Sequence, residues 1–420
     1  MILELVWTAP FILLLASIAI LPLAAKHWWE KNYPWVSLLL GLTVITRTIF
    51  FLKDIETLLV TAREYFSFIC LIGSLFVAAG GIHIQVKGEA KPLVNCVFLF
   101  IGAILANLIG TTGASMILIR PWIRMNKYRI TSHHIVFFIF IVSNVGGALT
   151  PVGDPPLFLG YLKGVPFFWV LERQWLLWLA TLAPILAIFF ILDEKNYKKA
   201  PEAVRLKETV HEEWKFTGLH NLFFLLLILV AVFLDRPIFL REALMILAGL
   251  LSYKTTSKNV HESNAFHFGP IKEVAILFLG IFATMIPALA WLERHAQAIG
   301  IQSAGQFFWG SGILSSVLDN APTYLNFLSA AIGLFTDPGR VHETPVGFLL
   351  ANHPDHIRAI SAGSVFFGAV TYIGNGPNFL VKSIADHHKV KTPSFFGYFF
   401  RYSLPILIPI FWLAGFLFFK

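Results

Sequence analysis

Runs of roughly twenty apolar residues recur along this chain, parted by short polar loops. A helix of about that length crosses the hydrocarbon core of a bilayer. Uninterrupted runs predict plain spans at Leu5–Leu23, Tyr33–Leu52 and Tyr65–Ile84, and again at Leu219–Leu234, Phe239–Leu251 and Val274–Leu292. Each set of three is followed by two runs with polar interruptions. In the first half, Leu93–Ile119 is broken by Asn107-Leu-Ile-Gly-Thr-Thr-Gly113, and Ile135–Leu162 by Thr150-Pro-Val-Gly-Asp-Pro-Pro156. In the second half, Ser303–Phe335 is broken by Asp319-Asn-Ala-Pro322, and Ser361–Ala385 by Thr371-Tyr-Ile-Gly-Asn-Gly-Pro377. Phe168–Leu192 closes the first half and Phe395–Phe419 the second. The first run follows Glu4 rather than a basic segment and precedes Lys26-His27-Trp28-Trp29 rather than a small-residue cleavage site, so it reads as a retained span.

The two halves match in sequence as well as in hydropathy. Gly147–Leu159, GALTPVGDPPLFL, aligns without a gap on Gly368–Leu380, GAVTYIGNGPNFL, with Asp154 opposite Asn375. The preceding breaks correspond too, Ile109-Gly110-Thr111 against Leu318-Asp319-Asn320. The expectation is an internal repeat and an all-α polytopic membrane protein.

Composition agrees. Of 420 residues, 57% are hydrophobic and only 13% charged, with a mean hydropathy of +0.72, against about 25% charged in soluble domains. The formal charge of +8 sits in short loops. It suits the positive-inside rule rather than nucleic-acid binding. If Leu93–Ile119 is a re-entrant hairpin, each half crosses an odd number of times and the second is inverted. Lys87 and Lys91 before that hairpin, Arg120, Arg124, Lys127 and Arg129 after it, and Lys195, Lys198, Lys199, Arg205, Lys207 and Lys215 in the linker then share the cytoplasmic side. Asp235, Glu293, Asp337, Glu343 and Asp355 fall opposite. Trp28, Trp29, Trp35, Trp122 and Trp169 near span ends read as interfacial anchors, and His133 and His134 as interfacial residues at a helix start. Cys70 and Cys96 read as packing residues.

A helix break inside hydrocarbon survives only where protein or a wet cavity satisfies the freed backbone groups. Pro151, Pro155, Pro156, Pro322 and Pro377 remove donors, and Gly153, Gly374 and Gly376 permit unusual backbone. Half-helix ends exposed at mid-membrane attract ions. Within the breaks lie two carboxylates, Asp154 and Asp319, which cost about 2.5–3.5 kcal/mol each at a helix centre even on the lenient scale. A carboxylate so placed holds either a proton or a sodium ion, which is the core of antiport. Asn320, Asn375, Thr150, Thr371, Asn107, Thr111, Thr112, Ser143, Asn144 and Asn378 offer further oxygen ligands for a hard cation. Arg47 and Lys382 read as snorkelling or paired charges, Lys382 with a weaker reading beside an anion. No Walker A, HExxH, GxSxG or CxxC pattern occurs, so neither an ATP-driven pump nor an enzyme is implied.

On the segments ANLIGTTGASMILIRP, FFIFIVSNVGGALTPVGDPPLFLGYLKGVPFFW, LDNAPTYLNF and GAVTYIGNGPNFL, the chain resembles the ion transporter superfamily. That group includes NhaD-type sodium:proton antiporters, ArsB-like arsenite carriers and citrate transporters. The resemblance implies a bacterial inner-membrane carrier of two inverted repeats with about ten crossings and two hairpins. Its first repeat is 1–192 (scaffold 1–92, transport elements 93–192). A cytoplasmic linker, 193–218, leads to the second repeat, 219–420 (scaffold 219–300, transport elements 301–420). It also implies Na+ at Asp154 and Asp319, no cofactor beyond transported Na+ and H+, and partners limited to the bilayer, a small ion or organic anion, and a second copy, since relatives often dimerise. The expected activity is exchange of Na+ or Li+ for H+, with Na+- or H+-coupled citrate or dicarboxylate transport as the alternative. Arsenite-type efflux has only the superfamily shape behind it. Divalent-anion symporters carry Ser-Asn-Thr at their hairpin tips, whereas this chain has Gly110-Thr111-Thr112 and Asp319-Asn320-Ala321. The acidic tip favours a cation.

Overall fold

The computed structural model describes residues 5–85, 91–199, 215–234, 236–336 and 344–420. Linker residues 200–214, with Arg205 and Lys207, and also Lys87, Asp235, Asp337 and Glu343, lie outside the described residues. The described chain is helical apart from one two-stranded sheet, β1 His83–Gln85 antiparallel to β2 Lys215–Thr217. The first half runs α1 Ala9–Ala24, α2 Lys26–Arg47, α3 Ile55–Gly80, α4 Pro92–Met125, α5 Ser132–Ile141, α6 Pro155–Leu162 and α7 Trp169–Lys199. The second runs α8 Asn221–Val232, α9 Leu240–Thr255, the short α10 Lys258–Ser263, α11 Gly269–Ile299, α12 Ala304–Ser315, α13 Asn320–Phe335, α14 Pro345–Asn352, α15 Pro354–Phe366, α16 Gly376–His387 and α17 Phe395–Phe418. Among the described residues six helices are long and apolar enough to cross a membrane. Leu59, Leu93, Trp35, Phe50, Phe51 and Phe396 are each more than half exposed, a surface suited to lipid rather than water. The protein is a polytopic α-helical membrane protein.

Small residues let the plain helices approach closely. Ser37 Oγ donates to the Ile276 carbonyl at 2.8 Å, and a Cβ on Gly41 would stand 3.4 Å from Ala283 Cβ. Such contacts drive helix association where lipid is as apolar as the side chains.

α4 is a hairpin. Its chain reverses at Gly110, whose φ of 79° and ψ of 151° suit glycine. Its two ends are tied by Asn95 Nδ2 donating to Asn126 Oδ1 at 2.8 Å. α12 and α13 form the second hairpin, with Phe307 and Phe327 facing across it at 6.1 Å. α5 with α6, and α15 with α16, are the two broken helices. The element ends sort into two groups. The mouth of α4 meets the end of α7 through Asn95 and Asp193 (2.8 Å), and the start of α5 meets the segment after α16 through Ser132 and the Lys391 carbonyl (2.8 Å). At the other end the mouth of the second hairpin meets the start of α15 (His356 Nε2 to the Gln302 carbonyl, 2.8 Å), and the end of α6 pairs with α3 (Lys163 to Glu64, 2.7 Å). The hairpins therefore open at opposite ends.

Several sequence expectations change here. α7 runs through Asp193 to Lys199, so Asp193 belongs to a span rather than to the linker. Asp193 is fully buried and takes both terminal guanidinium nitrogens of Arg129, His134 Nε2 at 3.0 Å and Asn95 Nδ2 at 2.8 Å. His134 is therefore part of a buried clamp across the first hairpin's mouth, not an interfacial residue. Trp122, whose indole donates to the His134 carbonyl, and Trp29 are core residues rather than anchors. The helix expected over Tyr65–Ile84 stops at Gly80, and Ile84 lies in β1. Lys382 pairs with Asp386 at 2.5 Å and lies over the Tyr372 ring, which removes it from any anion site. Cys70 and Cys96 are free thiols, buried and half-buried.

The two breaks share one backbone device. In the first, Thr150 Oγ1 donates to the Asn107 carbonyl at 2.5 Å and accepts from Gly153 N at 3.0 Å. In the second, Thr371 Oγ1 donates to the Ser316 carbonyl at 2.5 Å and accepts from Gly374 N at 3.1 Å. Each threonine thus satisfies a carbonyl at the end of the hairpin's first arm. The turns are so tight that a Cβ on Gly153 would stand 2.1 Å from the Gly147 carbonyl oxygen.

Gly153→Ala is expected to lower the unfolding temperature of the detergent-solubilised protein sharply, while Gly376→Ala, whose Cβ meets nothing within 4 Å, is neutral; equal effects would contradict the tight turn. Asp193→Asn leaves Arg129 buried without its carboxylate and is expected to cost about 3–5 kcal/mol. Thermal unfolding checks it, and a wild-type midpoint would show that the clamp holds nothing.

Candidate functional site

The four breaks meet at one carboxylate. Asp154 is the N-cap residue of α6 and is fully buried. An N-cap aspartate ordinarily accepts from the N–H groups of the first helical turn. Here the first two helical positions are Pro155 and Pro156, which have no N–H. The carboxylate makes no cap bond and reaches across the molecule instead. Thr111 Oγ1, at the tip of the first hairpin, donates to its Oδ1 at 2.8 Å. Asn320 Nδ2, at the tip of the second, donates to its Oδ2 at 2.8 Å. Asn375 Nδ2, from the matching position of the other broken helix, lies 3.2 Å from Oδ1. Asn375 is the N-cap of α16 and also makes no cap bond, with Pro377 at the second helical position.

A chain of amides fixes Asn375. Asn378 Nδ2 donates to the Gly368 and Thr371 carbonyls at 2.7 and 2.9 Å. Its Oδ1 accepts from Asn144 Nδ2 at 2.7 Å, which also donates to the Ile139 carbonyl at 2.8 Å. Asn144 Oδ1 and the Ser143 carbonyl then accept from Asn375 Nδ2 at 3.2 and 3.1 Å. Backbone geometry is relayed in this way to the central carboxylate.

Of the residues expected from sequence, Asp154, Thr111, Asn320 and Asn375 meet directly, with Asn144, Asn378 and Ser143 just behind. Three have backbone duties. Thr150 and Thr371 close the breaks, and Asn107 gives its amide to the Ala103 and Gly146 carbonyls while its Oδ1 accepts from Leu149 N. With both ends of its amide engaged, Asn107 is a brace rather than an ion ligand. Thr112 is half-buried and lines a cavity of about 30 Å³ between the first tip and α3, with Leu71, Leu75, Gly110 and Phe158, room for about one water. Asp319 caps α13, accepting from Ala321 N at 3.1 Å. It is half-buried and is the charged group facing Asp154.

Sequence reasoning missed Ser115 and Ser315. Ser115 Oγ lies 2.8 Å from Ser143 Oγ, and Ser315 Oγ lies 2.8 Å from Asn320 Oδ1. Helical spacing was the available signal, because Ser115 stands one turn after Thr111 and shares its face.

The donor set is all oxygen and amide, with no thiol or imidazole, and suits a proton or a hard monovalent or divalent cation. Helix N-termini of α6, α13, α16 and the second arm of α4 converge on the same point, and their positive ends favour negative charge there. His133, His134 and Asp193 also lie within ligand distance of one another. There Arg129 already takes both carboxylate oxygens, so that cluster is an ion pair.

No curated protein matches the chain. A family model described as "Putative citrate transport" matches residues 2–419, nearly the whole length. The chain, a multi-pass membrane carrier whose central carboxylate is held by residues of its four breaks, belongs to that citrate transport family.

Proposed function

We propose that the protein is a secondary carrier that exchanges Na+ (or Li+) for H+, with Asp154 as the shared site. The observation that carries this reading is the carboxylate itself. It is fully buried, it joins both hairpin tips and both broken helices, and among the described residues no lysine or arginine pairs with it. A buried carboxylate with only neutral donors is costly while empty. A proton or a cation relieves that cost, and one excludes the other. Asp319 stands at the half-exposed edge as the second acidic group.

The two-fold pattern of matched bonds and opposed hairpin mouths supports two inverted repeats, with the hairpin mouths on opposite faces of the membrane. Lys91, Arg120, Arg124, Lys127, Lys195 and Lys198 gather at the first mouth, which favours a cytoplasmic assignment for that end. His388 lies beside it; burial, Arg120, His387 and Arg124 hold its imidazole below the usual range. A bacterial inner membrane is the location this reading implies.

A second reading, coupled uptake of citrate or a dicarboxylate, has a specific basis in the family description and in the four converging helix N-termini. The negative charge of Asp154 already occupies the point those ends favour, which is why the cation reading ranks first.

Everted vesicles loaded with a pH dye are expected to show Na+-dependent pH recovery with wild-type protein. Asp154→Asn is expected to abolish it and Asp319→Asn to reduce it. Recovery that survives both substitutions, or labelled citrate uptake in proteoliposomes without any Na+-driven proton movement, would overturn the exchange reading.

A further inference from the structure

The hydrogen count around Asn320 is one short. Ser315 Oγ lies 2.8 Å from Asn320 Oδ1 and 2.6 Å from the Ser364 carbonyl oxygen. Both neighbours are acceptors, and a hydroxyl carries one hydrogen. With the Asn320 NH2 directed at Asp154, one of those two buried acceptors goes without a donor. Ser315, Asn320 and Ser364 are all at most 1% exposed, so water does not make up the deficit.

A half-turn of the Asn320 amide removes the conflict, and this torsion is broadly two-fold. Ser315 then donates to the Ser364 carbonyl and accepts from the Asn320 NH2. The Asn320 oxygen now faces Asp154 Oδ2 at a separation of 2.8 Å. Two oxygens at that distance need a proton between them, or need to part slightly around a cation. The two amide orientations therefore correspond to two states of the site. NH2 inward matches an empty, ionised Asp154. Oxygen inward matches an Asp154 that carries a proton or a cation.

We propose that Ser315 is a positioning residue that holds the Asn320 amide oxygen toward Asp154, biasing the site against standing empty. This rests on the reading of Asp154 as the exchange site and adds a coupling role to it. An exchanger must not return empty, and a site that is poorly hydrogen-bonded when empty meets that need. The other groups facing Asp154 do not supply the bias. Asn375 is pinned by Asn144 and Ser143, Thr111 is free to donate in either state, and Asp319 is the charged neighbour. The device belongs to the second half alone. Ala106, which has no hydroxyl, occupies the place in the first hairpin that corresponds to Ser315.

The test reads Asp154 directly. In purified full-length protein, its protonated carboxyl C=O stretch is followed by infrared titration and assigned by its loss in Asp154→Asn. Ser315→Ala frees the amide to turn its NH2 inward and so favours the ionised carboxylate. The titration midpoint is expected to move about one pH unit toward acid, matching the loss of one hydrogen bond of about 1.4 kcal/mol. Ser315→Thr, which keeps the hydroxyl, is expected to restore the wild-type midpoint. In vesicles the half-saturating Na+ concentration of Ser315→Ala is expected to rise roughly five- to tenfold with little change in maximal rate. A wild-type midpoint in Ser315→Ala, or failure of Ser315→Thr to restore it, overturns the proposal. Should wild-type protein fail to move protons with Na+ while its Asp154 band still shifts with Ser315→Ala, the exchange reading fails and the positioning role stands.

Discussion

A carboxylate deprived of its own helix holds the centre of this protein together. Pro156 removes one of the two N–H donors an N-cap aspartate would use, and the other, Leu157 N, goes to the Asp154 backbone carbonyl at 3.1 Å instead of to its side chain. In a dry interior a carboxylate must be hydrogen-bonded or neutralised. The nearest donors come from elements far away in sequence, 43, 166 and 221 residues distant. The local sequence thus creates a demand that only the assembled four-break arrangement meets. The same proline placement recurs at Gly376-Pro377, where Asn375 is likewise released from capping. An amide there completes the shell without adding a second charge.

The breaks treat their two kinds of helix end differently. Carbonyl ends are closed by side chains. Thr150 and Thr371 serve the hairpin arms, Gln174 and Trp178 reach from α7 to the Ala148 and Gly146 carbonyls, and Tyr398 reaches from α17 to the Ala369 carbonyl. N-terminal ends are left facing the centre. With carbonyls occupied and N–H ends open, the pocket favours negative charge, and the protein supplies that charge covalently as Asp154. On the proposed reading, the cargo is then what a carboxylate accepts. The closing helices α7 and α17 take part in this arrangement, a role that their plain apolar sequence does not announce.

The fold was largely legible because its signals were redundant. Apolar runs gave the spans, Gly and Pro gave the breaks, and the match of Gly147–Leu159 to Gly368–Leu380 paired them. The meeting of Asp154 with Thr111, Asn320 and Asn375 followed from assuming that costly breaks share one cavity. Errors arose where a residue's role depends on a distant partner. Asp193 opens a charged stretch, Asp193-Glu-Lys-Asn-Tyr-Lys-Lys199, that reads as loop. Arg129, 64 residues away, together with His134 and Asn95, makes it the buried end of a helix. Trp122 and His134 were misplaced for the same reason, since both pack into that clamp. Asn107 shows a different limit. Residue type says that an amide is present, while the direction of each end is set by backbone groups that only the folded chain brings near.

The breaks of the two halves share one backbone device and differ in chemistry. The first half supplies the charge, Asp154, with a tip packed beneath α3, where Gly110, Thr111, Val152 and Gly153 line a small, mostly apolar cavity. The second half supplies amides and the half-buried Asp319, with Val317 and Gly376 exposed beside its tip. A symmetric site with an aspartate in each broken helix would place two like charges in one dry cavity, where only one could ionise at a time. Replacing the second by Asn375 leaves Asp154 as the one carboxylate at a broken-helix N-cap, with an amide completing its shell. On the proposed exchange, a cation or proton arriving past Asp319 would meet the Asn320 amide before it meets Asp154.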